Sequence, residues 1–211
     1  MLKEYGRVRV KSTGLYGAIV EWKSGSDHCE IELDWWQQGT RVDEGDLLLR
    51  AFSLSDLDEL VEAQGAERKV VFREFDTLVI SFRNQRLFFG SPIVVIRREQ
   101  RGVQVSVRNW SFDNGFQTKG IATDEGASSN KLLSAVFATH ADRWVNRFKP
   151  DFGVLDGYSW TMDVYSSNCY FECEGDNFMP DELVRLLCAV RETGLSLSWL
   201  EDKIGPSDSH F

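Results

Sequence analysis

The sequence lacks the features by which many enzymes and membrane proteins are recognised. No apolar run approaches the ~20 residues that a membrane-spanning helix needs, and the first residues lack the apolar segment of a signal peptide. No phosphate-binding loop, dinucleotide-binding glycine motif or serine nucleophile elbow is present. We therefore expect a cytoplasmic protein with no catalytic residue, no cofactor and no membrane partner.

Cysteine and histidine are scarce, with 4 and 3 copies among 211 residues. Four scattered cysteines are too few for a disulfide framework, and they fall among apolar positions as small buried residues do. His28-Cys29 and the Cys169/Cys173 pair could supply zinc ligands, but they lack the paired spacing of a zinc site. We expect reduced thiols and no metal.

Acidic residues outnumber basic ones by 33 to 24, which gives a net charge of −9 and argues against a general nucleic-acid binder. Residues 21–67 carry 13 acidic and 3 basic side chains, and residues 150–211 carry 12 and 3. The middle, residues 68–119, carries 10 basic and 4 acidic side chains. Its arginines either pair with the acidic blocks, which we favour, or bind a ligand: Arg83, Arg86, Arg97, Arg98, Arg101 and Arg108.

The hydrophobic pattern predicts an α+β fold with antiparallel sheet and two main helices packed on one face. Residues 1–65 read as a β-rich segment or small barrel with a short helix at 53–65. Residues 66–200 read as an α+β domain, and residues 201–211 as a frayed tail.

Within the second segment, short β-rich runs predict a meander of strands at 69–75, 77–84, 86–90, 93–99 and 102–110. Residues 111–127 are rich in Gly, Asp and Thr, and predict a mobile or functional loop. A helix over 128–148 follows, then two strands joined by a turn at 166–168, and a helix that Pro180 opens and Gly194 ends.

Two predicted strands place carboxylates beside an aromatic residue on their outward face. Strict alternation over residues 29–36 turns one of the consecutive residues Trp35 and Trp36 away from the core. Trp36 is then either an exposed anchor or a cover for the sheet edge. A basic partner would be drawn to the carboxylates and held by the aromatics. The candidate partner-binding residues are Glu30, Glu32, Asp34, Trp36, Asp43, Glu44, Asp46, Tyr170, Glu172 and Glu174.

Two segments resemble known families. The turn and strand signals RVRVKSTG, GAIVEW and IELD resemble small SH3-like barrels over residues 5–50, although nucleic-acid binding by such barrels needs a basic face and this region is acidic. The order of two strands, Gly-Asp-Asn and a helix opened by proline over residues 156–193 is similar to uncharacterised bacterial proteins grouped with immunity proteins of polymorphic toxin systems. That resemblance implies a cytosolic antidote that binds and blocks one cognate toxin.

Three functions are consistent with the sequence. The first is a non-enzymatic immunity protein that neutralises a basic, nuclease-like toxin. The second is a structural or adaptor module that docks a larger assembly. The third is a hydrolase that uses carboxylates from residues 111–127. Same-face carboxylates at i and i+2 are also the ordinary wet face of an antiparallel sheet, so we favour protein binding over catalysis.

Overall fold

The computed structural model describes residues 2–23, 25–34, 37, 49–84, 93–100, 102–111, 115–125, 127–148 and 158–197. These residues form two β-sheets and three α-helices, which confirms the α+β class. Two of the predicted features, the strand at 86–90 and the tail at 201–211, lie outside the described residues.

In the part of the chain that the structure describes, the N-terminal sheet consists of five strands, which are β1 (Arg7–Val10), β2 (Tyr16–Glu21), β3 (His28–Leu33), β4 (Leu49–Ser53) and β5 (Leu57–Glu59). Their order across the sheet is β4-β3-β2-β1-β5, and every pair is antiparallel. In β1 and β3 apolar residues alternate with polar ones, so each of these two strands buries one face, whereas β4 has no buried residue. Among the described residues the edge strands β4 and β5 do not pair, so the SH3-like barrel expected here is an open sheet.

The segment that joins the two sheets differs from the prediction. Instead of a helix at 53–65, the chain forms a 3-10 turn at Leu54–Asp56, then β5 and β6 (Val61–Glu62). The helix α1 (Ala66–Arg73) begins after Gly65, whose φ of 51° is available to glycine at little cost. It replaces the strand predicted at 69–75.

Within the described ranges, the second, larger sheet contains seven further strands, which are β7 (Thr77–Asn84), β8 (Ile93–Glu99), β9 (Gly102–Ser111), β10 (Gly115–Glu125), β11 (Arg147–Phe148), β12 (Tyr158–Ser166) and β13 (Cys169–Asp176). Their order across the sheet is β10-β9-β8-β7-β12-β13-β11, and β6 lies parallel to β13. The predicted loop at 111–127 is wrong, because most of it is β10, which pairs with β9 along nearly its whole length.

All three helices cover one face of the large sheet. The main core contains Phe72 from α1, Val136 from α2 (Ala127–Ala138) and Leu187 from α3 (Asp181–Glu192). The predicted helix over 128–148 is shorter than expected, because the chain adopts a left-handed conformation at His140 with φ of 51°. No helix among the described residues is long and apolar enough to cross a membrane.

The N-terminal sheet packs on the opposite face of the large sheet. Tyr16 of β2 stacks on Tyr165 of β12, with ring centroids 4.3 Å apart. Leu60, Val79, Ile93 and Val95 complete this small apolar cluster, which joins the predicted segments 1–65 and 66–200. The N-terminal sheet covers only part of the face, and polar clefts flank it.

Candidate functional site: an acidic cleft between the sheets

The cleft is built on the face of β12 and β13 that the helices do not cover. The antiparallel register sets side chains of the two strands opposite each other in successive pairs. Because side chains alternate, one face carries Trp160 and Met162 into the core while the other carries polar residues. The pairs on the polar face are Ser159 with Asp176, Thr161 with Glu174, Asp163 with Glu172 and Tyr165 with Tyr170.

The strand β7 extends the same surface on the other side of β12, where Arg83 lies opposite Ser159 and Ser81 lies opposite Thr161. The N-terminal sheet closes one end with Arg7 and Asp34. The resulting cleft has a volume of about 410 Å³. Its lining includes two guanidinium groups and five carboxyl groups, which are those of Asp34, Asp163, Glu172, Glu174 and Asp176.

Arg7 joins the two sheets at the closed end. Its Nη1 donates to Oδ1 of Asp34 over 2.6 Å, and its Nη2 donates to the Tyr165 hydroxyl over 2.7 Å. The guanidinium also lies 5.9 Å from the ring centroids of Tyr165 and Tyr170. Burial opposes the charge of Arg7, but the hydrogen bond to Asp34, together with the charges of Tyr165, Asp34 and Asp163, outweighs that effect and raises the pKa of Arg7. Arg7 is therefore a fixed cation whose charge Asp34 balances.

Asp163 and Glu172 form a pair of carboxyl groups within hydrogen-bonding reach of each other. Burial, followed by the negative charges of Glu172 and Asp34, raises the pKa of Asp163 well above its ordinary value. Burial and then Asp163 also raise the pKa of Tyr165 well above its ordinary value. Asp163 therefore keeps its proton to a higher pH than an exposed aspartate and can donate it to Glu172.

The remaining carboxylates differ in how they are balanced. Arg147 lies 3.1 Å from Glu174 and 3.2 Å from Asp176, so one guanidinium spans both at the outer end of the cleft. Within the described part of the chain, Glu172 forms no ion pair. Glu172 is also exposed, so its charge is presented to the solvent from the centre of the row.

The structure brings four of the predicted partner-binding residues to this cleft: Asp34, Tyr170, Glu172 and Glu174. Glu30 and Glu32 are exposed on β3, as predicted, but outside the cleft. Asp34 follows β3 and lies on the same side of the N-terminal sheet as Glu32, because its partner Arg7 is aligned with Glu32 through Ala18. Tyr170 is half-buried and stacks on Tyr165 with centroids 6.1 Å apart. Trp36, Asp43, Glu44 and Asp46 lie outside the described residues.

Sequence reasoning missed Asp163, although the signal was present. The two-residue turn at Ser167 and Asn168 sets the register of β12 against β13. Asp163 and Glu172 lie the same number of residues before and after that turn, so the register places them opposite each other. Arg7 and Arg83 could not be found in this way, because they reach the cleft through sheet packing and through β7.

Three arginines of the basic middle, Arg83, Arg97 and Arg98, do not show the pairing we favoured with any described carboxylate. Arg98 donates to the backbone carbonyl of Arg73 over 3.0 Å. In the described residues Arg83 and Arg97 form no ion pair, and Arg86 and Arg101 lie outside that set. Arg108 is buried, and burial followed by the charge of Arg97 lowers its pKa to about 10.

All four cysteines are free thiols, as expected. Over the described ranges, no group of three or more His, Cys, Asp or Glu side chains is arranged to hold a metal ion. Comparison with protein-family models, with curated proteins and with solved structures finds no match to this chain. The geometry and charge of the cleft are therefore the basis on which a function can be proposed.

Proposed function

We propose that this is a non-enzymatic protein-binding protein of the immunity type, which neutralises a basic toxin by holding it against the acidic cleft. The observation that carries the proposal is the charge balance of the cleft, in which five carboxyl groups line the surface with the guanidiniums of Arg7 and Arg83, and Arg147 pairs with two of the five. Arg7 is balanced by Asp34, which leaves Glu172 at the centre without a cation among the described residues.

A lysine or arginine side chain of the partner would supply that missing cation. Charge complementarity of this kind speeds association and selects partners, and a pair that is desolvated on binding stabilises the complex further. The half-buried ring of Tyr170 lies beside Glu172 on the same face and offers an apolar contact. Residues 156–193, whose sequence resembles that of immunity proteins, include β12, β13 and α3, and the resemblance implies the same function.

The test is affinity capture from the native host with three forms of the protein. They are the wild type, a cleft variant E172Q/E174Q, and a control variant E30Q/E32Q that removes the same charge from β3 outside the cleft. The proposal expects one basic protein to bind the wild type and the control but not the cleft variant. Expression of the captured protein alone should then arrest growth of the host cells. Co-expression of the wild-type protein with it should restore growth. Equal capture by all three forms would contradict the proposal.

A carboxylate-dependent hydrolase is a second candidate, and the Asp163–Glu172 pair favours it. A carboxyl group whose pKa is raised, placed beside a second carboxyl group, is an arrangement that can supply a general acid and a general base. This pair replaces residues 111–127 as the candidate carboxylates, since those residues form mostly a paired strand. A hydrolytic activity that D163N and E172Q each abolish, and E30Q does not, would favour this candidate over the first.

A further inference from the structure

A second cavity lies at the opposite flank of the junction between the two sheets. Its volume is about 390 Å³, close to that of the acidic cleft, but its charge is of the other sign. Three arginines line it: Arg9 from β1, and Arg97 and Arg98 from β8. Arg7 and Arg9 are two residues apart on β1 and share one face, so the same strand supplies a cation to each cavity.

The three guanidinium groups have few carboxylate partners. The contact between Arg9 Nη1 and Asp76 Oδ2 is long, at 3.8 Å, and Arg98 donates to a backbone carbonyl. Arg97 is half-buried and forms no ion pair with any described residue. The pKa of Arg108, lowered to about 10 by burial and then by Arg97, is consistent with positive charge concentrated on this side of the sheet.

Two carboxylates, Asp76 and Glu99, line the cavity with the three guanidinium groups, so the lining keeps a net positive charge. Asp76 already accepts two hydrogen bonds, at Oδ1 from the Tyr16 hydroxyl over 3.1 Å and at Oδ2 from the backbone N–H of Ser167 over 3.0 Å. Glu99 is exposed at the end of β8. The Arg97 guanidinium lines the cavity and has no hydrogen-bond partner among the described residues, so its donors can reach a ligand.

We propose that this cavity binds a phosphate group carried on a small molecule. Arg9 belongs to the N-terminal sheet and Arg97 to the large sheet, so their guanidinium groups approach the cavity from opposite walls. Each planar guanidinium can donate a pair of hydrogen bonds to two oxygens of a phosphate group. The hydroxyl of Thr13 also lines the cavity and can donate to one of the remaining oxygens. A phosphate occupies only a fraction of 390 Å³, which leaves room for the group to which it is esterified.

Isothermal titration at constant ionic strength tests the proposal, with inorganic phosphate and glycerol phosphate as separate probes against a chloride-balanced buffer. We expect saturable binding, tighter for glycerol phosphate, and weakened at least about tenfold by R97Q, because a charge-assisted pair of hydrogen bonds is lost. R185Q on α3, across the sheet from the cavity, should leave binding unchanged. Tighter binding of inorganic phosphate would identify free phosphate as the source of the same chemistry.

A second variant keeps the test decisive if R97Q fails to fold. E99Q removes a competing negative charge from the rim, so it should tighten phosphate binding. Two results would overturn the proposal. One is that neither probe binds saturably to the wild type. The other is that R97Q and R185Q weaken binding equally, which would indicate general attraction to positive charge.

Discussion

Asp163 on β12 lies directly opposite Glu172 on β13, so the fold holds two carboxyl groups side by side in a polar cleft. Like charges at opposed positions of an antiparallel pair are destabilising. The electrostatic repulsion between the two groups is absent while Asp163 keeps its proton and appears when Asp163 is ionised. A pair that costs stability, placed at the centre of the candidate site, is expected where binding rather than folding selects the residues.

The first prediction concerns pH. The folded state raises the pKa of Asp163 through burial and through Glu172, whereas the unfolded chain titrates near the ordinary value of 3.8. The folded state then binds more protons than the unfolded state above pH 3.8, so this group's contribution to stability falls as pH rises through the folded-state pKa. D163N should remove that fall. Urea unfolding of both proteins across a pH series measures it, and parallel curves would contradict the prediction.

The second prediction is that E172Q stabilises the protein while it weakens partner binding. Glu172 repels the ionised form of Asp163, so E172Q should raise the free energy of unfolding by about 0.5 kcal/mol at a pH where Asp163 has lost its proton, a modest gain because Glu172 is exposed. E30Q on β3 is the control and should change stability less. Denaturant unfolding on the alkaline side of the fall measured for Asp163 gives both values. A less stable E172Q would indicate that Glu172 has a structural role instead.

The third prediction concerns the ion pair between the sheets. Asp34 and Arg7 have side chains 13% and 24% exposed, so removing either leaves a partly buried charge without its partner. We expect R7Q and D34N each to lower the free energy of unfolding by about 2 kcal/mol. The double variant should cost less than the sum of the two. A double-mutant cycle measures this coupling, and additive losses would show that the pair does not hold the sheets together.

The fourth prediction tests the packing beneath the cleft. A Cβ atom at Gly175 would lie 2.6 Å from two atoms of the Trp160 ring, which is buried and donates from its indole nitrogen to the Phe178 carbonyl. G175A should therefore lower the free energy of unfolding by about 1–3 kcal/mol. In W160F the smaller phenylalanine ring should leave more room for this Cβ atom, so G175A should lower the free energy of unfolding by less than it does in the wild type. Equal losses in both backgrounds would rule out the ring contact as the cause.

Much of the fold could be predicted from the sequence, because alternation and turn residues are local signals. The strands β7, β8, β9, β12 and β13 and the helix α3 were recognised in this way. The helix α1 was mistaken for a strand because valine and phenylalanine favour strands locally. It forms because residues spaced as in a helix, Arg68, Val71 and Phe72, are buried together.

The candidate site was predicted only in part, for a physical reason. Glu172 and Glu174 share one strand face, which alternation reveals. The contact between Asp34 and Arg7 was missed because Arg7 is distant in sequence and meets Asp34 only after the N-terminal sheet has folded. The hairpin partner of β9 was missed because polar composition at 115–125 hides a strand whose stability comes from pairing.

The central claim is that the acidic cleft, and not the outer face of β3, binds a basic partner. Titration of the captured partner with wild type, E172Q/E174Q and E30Q/E32Q, each at low and high salt, tests it most directly. We expect the cleft variant to bind about 100-fold more weakly, since truncating one member of a buried charge pair costs about 2–5 kcal/mol. The β3 variant should stay within a few-fold of wild type, and salt should weaken wild-type binding more than that of the cleft variant. A cleft variant that binds like wild type, or a β3 variant that loses more affinity, would contradict the claim.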